Sequence, residues 1–280
     1  MNKHGILYVV ATPIGHLDDI TARALNVLQQ ADLIVAEDTR RSAQLLRYYA
    51  INTPMQPLHQ HNEVARMGDI VKRIENGSGV ALISDAGTPT ISDPGYLLVR
   101  AVAEANLKVC PVPGACALVT ALSAAGMPAD KFNFYGFLPI KSKLRMQMLQ
   151  DIAQSPVTSV VYEAPHRILD LLTNLAAVIG DRSIMIGREI SKYFETFYRG
   201  NSGEVHQHLT KHTEEVCGEF VVCVSGNSEP KSKDSVELDK ILQLLLEELP
   251  LHKAAKIAAK ITGFPKNSIY QRGLALTHDK

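Results

Sequence analysis

The chain has 280 residues, 46% of them hydrophobic, which is enough for about two domains with sizeable cores. Lysine plus arginine equals aspartate plus glutamate, 29 each, so the net charge gives no sign of a nucleic-acid partner. Such a partner must be inferred from local basic patches. The four cysteines form no C-x-x-C pair, which argues against a metal site. No apolar run approaches about 18 residues, and the N-terminal segment does not resemble a leader peptide. We therefore expect a cytoplasmic protein without a membrane span.

Short apolar runs alternate with helical patterns over the first third of the chain. Strands are predicted over 6–12, 32–39, 80–85 and 108–114. Helices are predicted over 18–31, from 40 to 46, and over 95–106. Alternation of this kind predicts a parallel sheet that is covered by helices on both faces.

A second α/β unit follows a small-residue helix at 114–126, which we interpret as the bridge between two domains. Its strands are predicted over 132–139, 158–164, 183–190 and 219–225, with helices around 144–152 and 166–178. The predicted domains are 1–114 and 115–228. A polar, proline-containing linker at 229–235 then leads to three short helices in 236–280, a module of helix-turn-helix size.

Three turns rich in glycine and proline follow predicted parallel strands, at 12–15, 84–89 and 112–117. The carboxyl ends of parallel strands share one sheet edge, where open α/β sheets bind ligands. Asp85, at a strand end, is the most informative residue there: it is suited to a ribose or an ammonium group, or to capping its own loop. The alternative for each turn taken singly is an ordinary connection between a strand and a helix.

The stretch "SDPGY" predicts a helix start, with Asp93 as the N-cap residue and Pro94 at the first helical position. The first strand is not followed by G-x-G-x-x-G, which disfavours a dinucleotide site. The chain also lacks the phosphate-binding G-x-x-x-x-G-K-[ST] motif and the G-x-S-x-G motif of hydrolases that use a serine nucleophile.

Several runs are together highly specific: "AEDTR", "HNE", "VALISDAGTPTISDPGY", "GFLP", "YEAPHR" and "GREISK". In this order they resemble the ribosomal RNA small-subunit methyltransferase I family, which belongs to the tetrapyrrole-methylase-like (class III) methyltransferases. The resemblance covers nearly the whole chain. It implies two α/β domains of the tetrapyrrole methylase type with the cofactor cleft between them, plus the small all-helical C-terminal module. It also implies S-adenosyl-L-methionine as cofactor, 2′-O-methylation of a cytidine in the decoding region of 16S rRNA, and a homodimer.

The resemblance also implies which residues hold the cofactor. They are Pro13, Asp85, Gly87, Thr88, Pro113, Gly114, Cys116, Ala117 and Tyr162. Two positions depart from the family pattern: His16 stands where asparagine is usual, and Ala115 stands where proline is frequent. Both bear on cofactor geometry and leave the reaction class unchanged.

A ribose hydroxyl holds its proton tightly near neutral pH, so the reaction calls for a group that accepts or orients that proton. Glu37 and Glu163 are the preferred candidates because both end strands that face the cleft. Asp38, His61 and Glu189 remain open. For these groups the alternatives are structural: a strand-end cap with Arg40 as ion-pair partner for Glu37 and Asp38, a solvated loop for His61, and an ion pair with Lys192 for Glu189.

Basic residues without acidic neighbours predict where RNA binds. The C-terminal stretch 249–276 contains no aspartate or glutamate, and its five basic residues are Lys253, Lys256, Lys260, Lys266 and Arg272. A second acid-free stretch, 136–148, contains Lys141, Lys143 and Arg145, and Arg40 and Arg167 are expected nearer the cleft. The alternative is a solvated helix face.

Two other functions remain possible from the sequence. A tetrapyrrole C-methyltransferase would share the two-domain frame, although a small substrate does not require a basic helical module. A non-catalytic RNA-binding protein would use the cleft only to sense a nucleotide. The predicted partner is 16S rRNA, within the small ribosomal subunit.

Overall fold

The computed structural model describes residues 5–228 and 233–278. The chain divides into two compact units, 1–226 and 227–280. The predicted linker 229–235 begins with residues 229–232, which lie outside the described part of the chain. The first unit contains two five-stranded sheets.

All strands of the first sheet are parallel, in the order β3-β2-β4-β1-β5. They are β1 (Ile6–Val10), β2 (Leu33–Ala36), β3 (Met55–Pro57), β4 (Gly79–Ile83) and β5 (Lys108–Val112). The helices between them are α1 (Ala22–Gln30), α2 (Thr39–Tyr48), α3 (Glu63–Glu75) and α4 (Tyr96–Glu104). Separate hydrophobic clusters pack against the sheet, one around Leu28 and Ile34 and the other around Leu82 and Leu98. The predicted parallel sheet with two covered faces is confirmed.

The second sheet is mixed, with the order β6-β7-β10-β8-β9, in which only β6 and β7 are parallel. Its strands are β6 (Phe132–Phe137), β7 (Thr158–Glu163), β8 (Ser183–Arg188), β9 (Thr196–Asn201) and β10 (Phe220–Val224). Its helices are α5 (Ala117–Ala124), α6 (Ser142–Gln154), α7 (Ile168–Ile179) and α8 (Ser202–Lys211).

Helix α5 connects the two sheets through its packing. Its buried residues Leu118, Ala121 and Leu122 form one cluster with Val221 of β10 and with Ile14, which follows β1. The division between residues 114 and 115 stays a prediction.

The second unit is a three-helix module, as predicted. It consists of α9 (Lys233–Glu248), α10 (Leu251–Thr262) and α11 (Lys266–His278) around Leu242, Ala258 and Ile269. Gly263 ends α10 in the left-handed region, with φ 75°, and its N–H donates to the Ala259 carbonyl at 3.0 Å. Within the described residues, no helix combines the length and the apolar character needed to cross a membrane.

Candidate active site

The three turns predicted to share one sheet edge are joined by hydrogen bonds. Thr12 and Gly87 form a reciprocal backbone pair, with N–H to carbonyl distances of 2.9 and 3.0 Å. The hydroxyl of Thr88 donates to the Ala115 carbonyl oxygen at 3.0 Å. Gly87 has φ 80°, a conformation that glycine adopts without strain. The turns therefore form one continuous edge.

A cavity of about 420 Å³ opens at this edge, between the two sheets. Residues after the strands of the first sheet form one wall, and β7, β10 and Ile190 contribute to the other. The lining residues include Ile14, Glu37, Arg41, Asp85, Asp93 and Phe137. A cavity of this size, with apolar walls and a few polar groups, is typical of small-molecule sites.

Six of the nine predicted cofactor residues line the cavity: Asp85, Gly87, Thr88, Cys116, Ala117 and Tyr162. Pro13, Pro113 and Gly114 are not among the lining residues. Gly114 instead packs closely on Ala11, the residue after β1, since a Cβ atom at this position would lie 2.8 Å from Ala11 Cβ. Cofactor contacts for all nine stay predictions.

Both departures from the family pattern have local partners. The Nδ1 atom of His16 accepts from the Asp18 backbone N–H at 3.3 Å, which caps a single helical turn. The His16 backbone N–H donates to the Ser191 hydroxyl at 3.2 Å. Ala115 supplies the carbonyl that Thr88 contacts. Both residues thus fit the fold of the site.

The end of the cavity at β2 and β4 is acidic, with the carboxylates of Glu37, Asp85 and Asp93 on its wall. Asp85 binds the neighbouring turn: it accepts from the Asp38 N–H at 3.0 Å and pairs with Arg41 at 3.2 Å. Burial raises the pKa of Glu37, and repulsion from Asp93 and Asp85 adds to this effect. Glu37, the preferred proton acceptor from the sequence, therefore lies at the site, and its role stays a prediction.

Asp93 does not cap a helix, so the sequence-based prediction for this residue was wrong. Helix α4 begins at Tyr96 with Gly95 as the N-cap residue. The backbone N–H of Leu98, in the first turn of α4, donates at 3.0 Å to the buried carboxylate of Glu63, the glutamate of the "HNE" motif. Because Glu63 satisfies this helix end, Asp93 is left to face the cavity.

Tyr162 holds the opposite wall. Its hydroxyl accepts from the Leu118 N–H at 3.0 Å, at the N-terminus of α5, where backbone donors lack helical partners. Its ring packs edge-on against Phe134 and Phe137, with centroids 5.0 and 5.6 Å away. Burial raises the pKa of Tyr162, so its hydroxyl stays protonated and serves to position the wall.

Glu163, the second candidate proton acceptor, is enclosed by cations. Its side chain is 0% exposed, and its carboxylate lies 3.3 Å from Arg145 and 3.2 Å from Arg167. Arg167 also donates to the Leu138 carbonyl at 2.7 Å, which ties this group to the "GFLP" segment. A carboxylate held between two guanidinium groups is poorly suited to accept a proton, so the structure favours a structural role for Glu163.

The three acids and bases left open by the sequence also have other positions or partners. Asp38 caps α2 by accepting from the Arg40 N–H, and the side-chain hydrogen bond from Arg40 lowers the pKa of Asp38 to about 2. Glu189 accepts from Lys192 Nζ at 2.7 Å, the structural pair weighed in the sequence analysis. His61 is exposed and outside the cavity lining.

The predicted RNA-binding residues of the first unit separate into two groups. Arg40, Lys141 and Lys143 are exposed, and Arg40 pairs with Asp38 at 2.9 Å. Arg145 and Arg167 contact Glu163, and the Arg145 side chain is only 7% exposed. The burial of Arg145 argues against RNA contact by this residue, because its guanidinium contacts the buried carboxylate of Glu163 and the exposed carboxylate of Asp170.

In the C-terminal module, Lys253, Lys256 and Lys260 are exposed on α10, while Ala254 and Ala258 between them are buried. Lys266 is also exposed, with its Nζ 3.1 Å from His252 Nε2, and Arg272 is half-buried. The lysines of α10 therefore lie on an accessible face, and RNA contact by these residues stays a prediction.

The chemistry of the cavity fits S-adenosyl-L-methionine. A cofactor with a sulfonium and an ammonium group is complemented by the acidic part of the lining, where Glu37 and Asp85 lie with Arg41, the one arginine among the lining residues. Apolar residues such as Ile14 and Phe137 offer surface to an adenosine, and the turn at Gly87 allows close approach of a ligand to the backbone.

Sequence models of known protein families match both units of the chain. A sequence model of the tetrapyrrole (corrin/porphyrin) methylases matches residues 6–206, and one described as the RsmI C-terminal HTH domain matches residues 232–277. Three curated relatives are named ribosomal RNA small subunit methyltransferase I. The protein of Haemophilus influenzae is 49% identical and covers 97% of both chains. That of Pseudomonas aeruginosa is 48% identical over 96% of this chain and 97% of its own. That of Escherichia coli O157:H7 is 45% identical over 98% of this chain and 96% of its own.

Solved structures support the fold. A cobalt precorrin-4 methyltransferase matches with a TM-score of 0.60 and 16% identity, over 80% of this chain and 96% of its own. A uroporphyrin-III C-methyltransferase from Thermus thermophilus, in complex with S-adenosylhomocysteine, matches with a TM-score of 0.55 and 16% identity. The match covers 78% of this chain and 97% of that protein. Given the match of the methylase model to residues 6–206 and the nearly full-length relatives, the chain belongs to the ribosomal RNA small subunit methyltransferase I family of tetrapyrrole methylases.

Proposed function

We propose that this chain methylates the 2′-hydroxyl of a cytidine in the decoding region of 16S rRNA. Membership of the family makes the chain an S-adenosyl-L-methionine-dependent methyltransferase of ribosomal RNA. The ribose oxygen and the cytidine are the proposed part. The observation that carries the proposal is the cavity between the sheets, where joined backbone turns and three carboxylates meet.

Each part of the site has a distinct task in this reaction. S-adenosyl-L-methionine supplies a methyl group on a positively charged sulfur. The turns at Gly87 and Cys116, with Tyr162 opposite, orient the bound molecules, which is the main contribution of a protein to such a displacement. The carboxylates at the end of β2 and β4 are available for the proton that the ribose hydroxyl loses.

The predicted RNA partner is supported by the charge of the C-terminal module. The lysines of α10 form an exposed basic face in a chain whose net charge is zero, and phosphates are the natural complement of such a face. We propose that this module binds rRNA within the small ribosomal subunit. A cytoplasmic location and a homodimer complete the proposal, and light scattering of the purified protein measures its oligomeric state.

The test of this function is methyl transfer from labelled S-adenosyl-L-methionine to three acceptors. They are small ribosomal subunits from cells that lack the enzyme, free 16S rRNA, and uroporphyrinogen. We expect label in the rRNA, at a ribose that becomes resistant to alkaline cleavage, and none in uroporphyrinogen. Label in uroporphyrinogen alone would favour the tetrapyrrole methyltransferase. Cofactor-independent RNA binding without any transfer would favour the non-catalytic RNA-binding protein.

Gly87→Ala tests the turn that lines the cavity. Because φ is 80°, alanine should cost about 1–2 kcal/mol in folding free energy. Its Cβ would also lie 3.2 Å from Ile14 Cγ2, so a second wall residue must shift. We expect the cofactor affinity, measured by calorimetry, to fall about tenfold, which corresponds to about 1.4 kcal/mol.

Gly126→Ala is the matched control for this substitution. Gly126 has φ 68° and no atom within 4 Å of the added Cβ position, and it does not line the cavity. It should lower the folding free energy by a similar amount and leave cofactor affinity unchanged. Equal losses of cofactor affinity in the two variants would contradict a role for Gly87 at the site.

A further inference from the structure

Asp93 lies in a segment whose backbone holds an unfavourable conformation. Thr90 and Ser92 have φ values of 73° and 69°, in the left-handed region that residues with side chains rarely adopt. Strained backbone of this kind occurs preferentially where it positions functional groups. It directly precedes Asp93, which lines the cavity.

The surrounding structure keeps this segment in place from both sides. At its end, Gly95 packs against β4, where an added Cβ would lie 2.8 Å from Leu82 Cδ2. On the other side, Ser92 Oγ lies 3.0 Å from the position of a Cβ at Gly136, where β6 has an irregular register. The two sheets thus hold the segment between them, and the position of Asp93 is determined by both.

Asp93 and Glu37 differ in their partners. The carboxylate of Glu37 accepts from the Asp85 backbone N–H and is attracted by Arg41. On Asp93, a hydrogen bond from the Ser84 hydroxyl lowers the pKa, and the same hydroxyl also lies 3.3 Å from the Ala86 carbonyl oxygen. Of these two carboxylates, Asp93 therefore has more capacity to bind a hydroxyl group of a substrate.

We propose that Asp93 is a catalytic residue, which binds the attacking ribose hydroxyl and accepts its proton. This inference rests on the proposed function. As the oxygen–carbon bond forms, the carbon–sulfur bond breaks with its electron pair on sulfur. The hydroxyl proton then moves to a carboxylate oxygen of Asp93, which leaves a methylated ribose, a neutral thioether and a protonated Asp93 that releases its proton to water.

The charged and titratable groups around Asp93 suit it to this role. They come from the ends of several strands and from α2: Glu37, Arg41, Asp85, Tyr162, Glu163 and Glu219 line the same cavity. Burial raises the pKa of Asp93 to about 6, and the neighbouring Asp85 carboxylate adds to this effect. A base with a pKa just below the working pH is ionised and still binds a proton well.

The experiment compares methyl transfer to small ribosomal subunits from pH 5 to 8.5 for the wild type and for Asp93→Asn. In the wild type, turnover should fall as the pH drops through about 6, because Asp93 becomes protonated there. Asp93→Asn should lower turnover at least about 100-fold and remove this acid limb. The Kd of S-adenosyl-L-methionine should change less than about threefold, and Asp93→Glu should restore part of the turnover.

Glu37→Gln distinguishes the two carboxylates. Because it removes a neighbouring negative charge, the acid limb should move to lower pH and persist, with a loss of turnover below about tenfold. Asp130→Asn, at an exposed position outside the cavity, is the control and should behave as the wild type.

Three results would overturn the role of Asp93. The first is an Asp93→Asn enzyme with near wild-type turnover and an intact acid limb. The second is a loss of cofactor affinity as large as the loss of turnover, which would assign Asp93 to the cofactor. The third is a Glu37→Gln enzyme that lacks the limb, which would make Glu37 the acceptor. Wild-type protein without any transfer to rRNA would instead reject the proposed function.

Discussion

Replacing Lys253, Lys256 and Lys260 with glutamine should weaken rRNA binding about 100-fold near 0.1 M salt. The three side chains are exposed on α10, and each phosphate contact contributes a slope of about 0.7–0.9 to the dependence of log affinity on log salt. Loss of three contacts should therefore lower that slope by about 2–3. Filter binding of 16S rRNA over a series of salt concentrations measures both quantities, and calorimetry should show unchanged affinity for S-adenosyl-L-methionine.

A second triple variant, which serves as the control, changes the net charge by the same amount. Lys72, Arg73 and Lys211 are exposed residues of α3 and α8 in the first unit, and their replacement by glutamine also removes three positive charges. If the C-terminal module binds the RNA, this control should retain the salt slope of the wild type. Equal slopes for the two triple variants would mean that only overall charge matters, and would reject the module as the RNA-binding part.

Most of the fold was predictable because its strands are continuous apolar runs that end in turns. The strands that the sequence pattern did not predict, β3 and β9, lie at sheet edges. Edge strands are covered on fewer sides, so their residues need not form a buried apolar run; β3 has three residues, including Pro57, and none of them is fully buried. Helices α3 and α8 were also missed.

The candidate site was predictable where its residues follow strands, and less so where a distant partner decides their role. The turns at Gly87 and Cys116 were located correctly because parallel strands end at one edge. The local sequence around Asp93 predicted a helix cap, whereas Glu63, 35 positions before Leu98, contacts that helix end. No local pattern reveals such a partner.

Glu163 shows the same limit. Its place at the end of a strand that faces the cleft suggested a catalytic base. Arg145, 18 positions earlier in the chain, and Arg167 determine what this carboxylate does instead. The "APHR" motif thus contains a structural cation, and the first turn of α6 supplies another, Arg145.

Glu163→Gln should therefore lower the free energy of unfolding by about 3–5 kcal/mol, because it leaves buried guanidinium groups without their shared counter-charge. Denaturant unfolding measures this change. Asp170→Asn is the control: it breaks the contact of Arg145 with a carboxylate whose side chain is 70% exposed, and should cost less than about 1 kcal/mol. On folded protein, we expect turnover of Glu163→Gln to fall less than about tenfold, since the carboxylate stabilises the wall and accepts no proton. Unchanged stability together with a much larger loss of turnover would restore Glu163 as the proton acceptor.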